Sequence, residues 1–215
     1  MKHDITFIHT AKIHINTFNA LLNELAPKLN VHHVVDESLL AYAQQHSVDA
    51  ILEAKVAKQI EELSVNSKVI VITCSSIGAI AENISSINGC VILRVDRAMA
   101  DFAVINGKNI LVVAALESTL EPTNELLKSS IQNTHTSPKV TFKCLNNAWD
   151  YFLSGNMEGY FKEIATALKL NEAQYDLIVL AQASMAGVVD QVDLSIPIIS
   201  SPKLGAQCAI DALTI

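Results

Sequence analysis

The sequence predicts an α/β protein built as two pseudo-symmetric lobes, each an open parallel sheet covered by helices, with a cleft between the lobes. Three observations carry this prediction. Half of the 215 residues are hydrophobic and only 17% are charged, a composition that excludes a disordered chain and suits one large domain or two small ones. Short aliphatic runs alternate with amphipathic stretches, the pattern of parallel strands joined by helical crossovers. The two halves of the chain also match each other residue by residue.

In the first half, Ile5 to His9 reads as a strand. It is followed by a helix over Ile15 to Leu29, where Ile15, Phe18, Leu22, Leu25 and Leu29 recur every three or four residues. Val31 to Val35 is a second strand, Asp36 to His46 and Asp49 to Leu63 are helices, and Val69 to Thr73 and Val91 to Leu93 are further strands, with a helical run at Ala79 to Ile84. The second half repeats the order. Its strands are Ile110 to Ala115, Val140 to Cys144, Leu177 to Ala181 and Pro197 to Ile199, and its helices lie near Glu121 to Ile131, Asn156 to Leu170 and Lys203 to Leu213. Trp149, Tyr151 and Phe152 suit a further helix packed on the second sheet.

The repeat has a defined register. Ile5, Asn19, Leu21 and Leu22 recur 105 residues on as Ile110, Asn124, Leu126 and Leu127. The run Val69 to Ile77 recurs 108 residues on as Leu177 to Met185, and Arg97 to Ala100 recurs 106 residues on as Lys203 to Ala206. Residues 1–100 are therefore expected to form the first lobe and 101–202 the second, with Asn106-Gly107 as a turn signal near the boundary. The repeat leaves the C-terminal helix, about residues 203–215, free to pack back on the first lobe. In open α/β sheets ligands bind beyond the carboxyl ends of the strands, so the strand-end loops are where function is sought.

Charge and motifs narrow the function. With 15 Lys and Arg against 22 Asp and Glu, the net charge is −7, which argues against nucleic acid or an anionic membrane as partner. The longest apolar run, Ile110 to Leu116, is far short of the roughly 20 residues that span a bilayer. Asp4, Lys12 and His14 break any signal-like stretch, so a cytoplasmic location is expected. Cys74, Cys90, Cys144 and Cys208 form no C-x-x-C pair and disulfides are not expected. Cys90, Cys144 and Cys208 stand in apolar contexts and read as core. With no G-x-G-x-x-G or P-loop, nucleotide cofactors lack their backbone signature. His32 and His33 are adjacent on a strand and point to opposite faces, so no metal site is expected either. Small molecules are the remaining partners; a homo-oligomer stays open.

Two corners stand out. Thr73-Cys74-Ser75-Ser76-Ile77-Gly78 joins an aliphatic strand to a helical run, which puts Cys74 beside a helix N-terminus, where backbone N–H groups stabilise a thiolate or a bound carboxylate. The same residues also read as a small buried Cys followed by Ser caps. The second corner, Ala181-Gln182-Ala183-Ser184-Met185, replaces the thiol with an amide. Gln182 can hold a ligand or cap a helix, but a carboxamide does not exchange protons in the accessible range. Ser118 and Thr119 follow the fifth strand and could bind a carboxylate or cap the next helix. Asp96 and Ser200 end the outer strands as supporting or capping groups, and Arg94 is the one strand-end guanidinium.

On Val71 to Ser76, Leu180 to Met185, Leu93 to Asp96 and Ser118 to Thr123, the whole chain resembles the aspartate/glutamate racemase superfamily, which includes hydantoin racemases, maleate isomerases and arylmalonate decarboxylases. The resemblance implies two α/β lobes with the active site between them, no cofactor, and catalysis by cysteines at the ends of central strands. Cys74 falls on the first family cysteine and Gln182 on the second. His9 and Thr10 fall where relatives place a polar residue that assists the thiol, which makes His9 the candidate second acid or base. The implied function is an isomerase (racemase-like) or a carbon–carbon lyase acting on a small carboxylic acid through one cysteine. A decarboxylase, or a non-catalytic carboxylate binder, is the alternative. Catalysis falls to Cys74 and His9, and substrate binding to Thr10, Ser75, Ser76, Ser118, Thr119, Gln182, Ala183 and Ser184.

Since two-base racemisation needs a proton-transfer group on each face of the substrate carbon, Gln182→Cys is expected to increase inversion of a chiral carboxylate. Deuterium exchange from D2O, followed for both enantiomers, reads this out; native protein that already exchanges both at equal rates would contradict it.

Overall fold

A computed structural model describes residues 2–214. In chain order the elements are β1 (His3–His9), α1 (Ile13–Leu25), β2 (Val31–Val35), α2 (Glu37–His46), α3 (Ala50–Ser64), β3 (Ser67–Ile72), α4 (Gly78–Ile84), β4 (Ser86–Ile87), β5 (Cys90–Arg94) and α5 (Arg97–Asn106). They continue with β6 (Asn109–Ala114), α6 (Leu120–Thr134), β7 (Lys139–Cys144), α7 (Asn146–Leu153), α8 (Met157–Asn171), β8 (Leu177–Leu180), β9 (Ile198–Ser200) and α9 (Ser201–Asp211). Short 3-10 segments follow the strand ends, among them Ser75–Ile77 after β3, Glu117–Thr119 after β6 and Ala183–Gln191 after β8.

The chain divides into two compact units, residues 1–96 with 202–215, and 97–201. The first holds a sheet in the order β2-β1-β3-β5-β4, the second a sheet in the order β7-β6-β8-β9. All pairings are parallel except β4 with β5, an edge hairpin turning through Asn88 and Gly89, both at positive φ. That hairpin is too short to show in the hydrophobic pattern and has no counterpart in the second unit. The boundary falls at Asp96–Arg97, a few residues ahead of the expected position, because α5 packs against α6 and over β8 and β9.

Pairing registers reproduce the sequence repeat. Ile8 pairs with Ile72 in the first sheet and Val113 with Leu180 in the second, offsets of 105 and 108 residues. The strand-end hydrogen bonds repeat as well: Thr73 N–H donates to the Ile8 carbonyl at 3.1 Å, and Ala181 N–H to the Val113 carbonyl at 2.9 Å. Gln182 is thus the equivalent of Cys74 in backbone position.

Strand alternation sorts the side chains. In the first unit Ile8, Ile70 and Ile72 face α2, α3 and α4, with Cys74 packed at the edge of that cluster. Ile5, Phe7, Val69 and Val71 face α1 and α9. In the second, Leu111, Val113, Ile178 and Leu180 face α7 and α8, where Tyr160 and Ile164 are fully buried.

The α1 face also carries a layer of imidazoles. The ring of His9 has no exposed surface, lies 5.7 Å from Phe18 and stacks 5.1 Å from His33; His14, in the first turn of α1, is 6.0 Å away. Burial lowers the His9 pKa to about 3, with help from the neighbouring His14 and His33, and burial lowers that of His14 to about 4. His14 Nδ1 has no partner, so the ring gains nothing that would offset charging it.

Both histidines are neutral in the native state and titrate near 6.5 in the unfolded chain. The unfolded chain therefore binds more protons below that pH; their contribution is complete above about pH 6.5 and declines as pH falls toward 4, by about 1.4 kcal/mol per pH unit for each histidine. His14→Leu is expected to flatten the fall in urea midpoint between pH 6.5 and 5, and a variant whose midpoint falls as steeply as the wild type's would refute the assignment. Gly205 in α9 faces the Val95 carbonyl so closely that a Cβ would strike it. Gly205→Ala should cost about 1–3 kcal/mol by overpacking, seen as a lowered thermal midpoint.

Candidate functional site

In each sheet the chain leaves the two central strands in opposite directions. After β1 it crosses to β2 on one side, and after β3 to β5 on the other; after β6 and β8 it does the same. The loops beyond such a pair must part, and the crevice they leave at the carboxyl ends of the strands is where α/β sheets bind ligands. In the first unit the loops are His9 to Lys12 and Thr73 to Ile77. In the second they are Ala115 to Thr119 and Ala181 to Met185.

Cys74 continues the extended backbone of β3 (φ −101°, ψ 117°), so strand alternation holds through it and directs its side chain to the face shared by Ile72 and Ile8. Thr10, two residues beyond Ile8, lies on the same face. Beside the half-buried Cys74, the Thr10 hydroxyl, the backbone N–H groups of Ser76 and Ile77, and the Ser76 hydroxyl favour the charged form of the thiol. Burial pushes the thiol pKa up, while these four contacts pull it down without prevailing. The expectation of a thiolate favoured at rest is thus corrected: desolvation outweighs the donors, and the resting group is a thiol surrounded by partners suited to its anion.

His9 is separated from the thiol by the same alternation. Its ring lies on the α1 face, where Nδ1 contacts Thr73 Oγ1 at 2.9 Å and Nε2 contacts His33 Nδ1 at 2.8 Å. Thr73 also donates its hydroxyl to the Ile8 carbonyl at 3.1 Å, so both ring nitrogens of His9 are tied into one hydrogen-bonded string. His33 in turn reaches Asn19 Oδ1 at 3.0 Å. With both nitrogens engaged and a pKa of about 3, His9 anchors the ends of β1 and β3, and it is Thr10 that touches the sulfur.

The flanking serines are occupied differently. Ser75 donates its hydroxyl to Asp96, which is buried with Arg94: Nε lies 2.7 Å from Oδ1 and Nη2 3.1 Å from Oδ2. Burial alone would raise the Asp96 pKa, but the guanidinium holds it below the usual carboxylate range. Arg94 Nη1 also binds Glu82 at 3.1 Å. Its side chain is only 2% exposed, so Arg94 is an internal tie and offers no free charge to a ligand.

In the second unit Gln182 keeps the extended geometry of Cys74 (φ −126°, ψ 137°). Its Oε1 accepts from the Ala115 N–H at 2.6 Å, which orients the amide. Ser184 Oγ lies 2.9 Å from the hydroxyl of Tyr160, a buried residue of α8 that the sequence pattern did not single out. Ala183 is buried, and the 183–191 segment is wound as 3-10 turns. Gly187 and the β-branched Val188 and Val189 make a continuous α-helix unfavourable there. Thr119 precedes α6 without a capping side-chain bond, and the Ser118 Oγ is buried without a partner, so neither acts as the cap. Cys144, expected in the core, is half-exposed at the end of β7, with Sγ 2.9 Å from Asn146 Oδ1.

Among the described residues no group of three or more His, Cys, Asp or Glu is arranged to hold a metal ion, and no helix is long and apolar enough to cross a membrane.

No protein-family model and no curated protein matches the sequence. Solved structures do match in fold. Aspartate racemase from Picrophilus torridus superposes with a TM-score of 0.75 at 14% identity, covering 98% of this chain and 94% of that one. Allantoin racemase from Klebsiella pneumoniae gives 0.67 at 20% identity, covering 99% and 88%. An arylmalonate decarboxylase gives 0.60 at 12% identity, covering 98% and 92%. Across its whole length, the chain has the two-unit α/β fold of the aspartate, glutamate and allantoin racemases and arylmalonate decarboxylase.

Proposed function

We propose that the chain is a racemase-like enzyme, acting without a cofactor on a small carboxylic acid, in which Cys74 moves a proton at the carbon next to the carboxylate. The observation that carries this reading is the thiol at the switch point of the first sheet, held on extended backbone at the end of β3 and at the start of the 75–77 turn.

The chemistry follows from the resting state. A protonated thiol is an acid: it gives its proton to a carbanion or enolate carbon, the sulfur becomes a thiolate, and the Thr10 and Ser76 hydroxyls with the Ser76 and Ile77 N–H groups stabilise the new charge. Run in reverse, the thiolate removes the proton. Such fixed donors cost no reorganisation as charge develops, and one is worth on the order of 3 kcal/mol. Gln182, the counterpart of Cys74 in the repeat, carries no group that titrates in the accessible range, so that position supplies no second acid. That asymmetry suits a decarboxylase as a second reading, in which loss of carbon dioxide leaves its bonding electrons on the carbon that Cys74 protonates. Arg94, paired with Asp96 and Glu82, offers no free charge to the carboxylate.

Cys74→Ala should reduce turnover or solvent-deuterium exchange on small carboxylates by about 10²–10⁴-fold while leaving the circular dichroism spectrum and thermal midpoint close to wild type. Full activity in that variant would overturn the role of Cys74. A thermal-shift screen of mono- and dicarboxylates finds the substrate class, since a ligand at 100 times its Kd stabilises the native state by about 2.7 kcal/mol. Stabilisation by a carboxylate without turnover or exchange in any assay would make the chain a binding protein.

A further inference from the structure

The two units act as internal controls for each other: positions that are polar in both serve the architecture, whereas positions polar only beside the thiol need another explanation. Arg94 pairs in register with Ile72, and its equivalent, paired with Leu180, is Ser200. Asp96 corresponds to Pro202 and Ser75 to Ala183. The second unit thus builds the same strand-end corner without a buried ion pair. Since burying charges is expensive and an apolar replacement is often neutral or stabilising, the fold alone does not account for Arg94 and Asp96.

What the pair touches suggests its purpose. Asp96 takes the Ser75 hydroxyl, one residue beyond Cys74. Arg94 binds Glu82 of α4 at 3.1 Å. The guanidinium also lies flat against Gly78, where a Cβ would come within 2.9 Å of Nε. The segment from Ser75 to Glu82 is therefore fixed at three points by one buried pair. Within it lie the Ser76 and Ile77 N–H groups and the Ser76 hydroxyl that meet the sulfur.

We propose that Arg94 and Asp96 are positioning residues for Cys74, acting through Ser75 to aim the donors of the 75–77 turn at the thiol sulfur. The inference rests on Cys74 being the working thiol, and it withdraws Ser75 from substrate binding, because its hydroxyl proton is committed to Asp96.

The test reads the thiol and needs no substrate. Alkylation of Cys74 by iodoacetamide is followed against pH by peptide mass analysis in wild type, Ser75→Ala and Ser75→Thr. Ser75→Ala cuts the link to Asp96 while leaving the ion pair whole, so folding is preserved. With the donors misaimed, the alkylation profile should move to higher pH by about half a unit to one unit, a three- to tenfold slower reaction at fixed pH. Ser75→Thr keeps the hydroxyl and should restore the wild-type profile. Gly78→Ala, which displaces the guanidinium, should shift the profile in the same direction as Ser75→Ala. A Ser75→Ala profile superimposable on wild type, or a Ser75→Thr profile shifted as far as that of Ser75→Ala, would overturn the proposal. Neither result bears on the enzymatic reading, which stands or falls on the Cys74→Ala exchange assay.

Discussion

The alternation of side chains across a parallel sheet is the constraint on which the site depends. It operates twice. Within a strand it sends Ile72 and Cys74 to one face and Val71 and Thr73 to the other, and because Cys74 keeps extended backbone angles the rule reaches past the last paired residue. Between β1 and β3, parallel pairing in register puts Thr10 on the face of Cys74 and His9 on the face of Thr73. One residue decides which group meets the sulfur. A hydroxyl that can only share a proton stands where an imidazole could have taken one.

The two faces below that point are built differently. Toward α1, His9, His33 and Thr73 form a buried hydrogen-bonded string; the equivalent residues of the second unit are Ala114, Phe142 and Ala181, an apolar set. Toward α4, Arg94 and Asp96 do the bracing. The unit that carries the thiol therefore bears polar groups that its twin omits, and they lower its stability in acid or require compensation by ion pairing. Local conflicts between foldability and chemistry are expected at working sites, and the repeat makes them visible by subtraction.

Much of this was legible beforehand. The repeat register, read from Val69 to Ile77 against Leu177 to Met185, is the register of the strand pairing, because the same aliphatic run must bury itself in each sheet. The corners were legible for the same reason: a polar group directly after four aliphatic residues has little choice but the strand end. What escaped was everything set by which face a residue takes once the strand has ended. His9 and Thr10 are neighbours in sequence, and only the pleat separates their roles. Tyr160 was hidden because it reaches its corner from a distant helix, and Asp96, legible as a supporting group at the end of an outer strand, gave no sign of its tie to Ser75; neither contact has a sequence periodicity. The resting state of Cys74 escaped because it depends on the difference between desolvation and four hydrogen bonds, neither of which composition reports.

The path of the chain has a consequence for how the molecule comes into being. The first unit takes its last helix, α9, from beyond residue 201, and α9 supplies Ala206 and Ala209 to the core face that Phe7 and Phe18 share. The second unit, by contrast, is continuous in sequence. During synthesis, where domains tend to fold as units as they emerge, the second sheet has all its helices while the first still waits with one apolar face covered only in part, by α1. The half that is made first is completed last, and its thiol corner is assembled over a core that closes only when the chain returns to it.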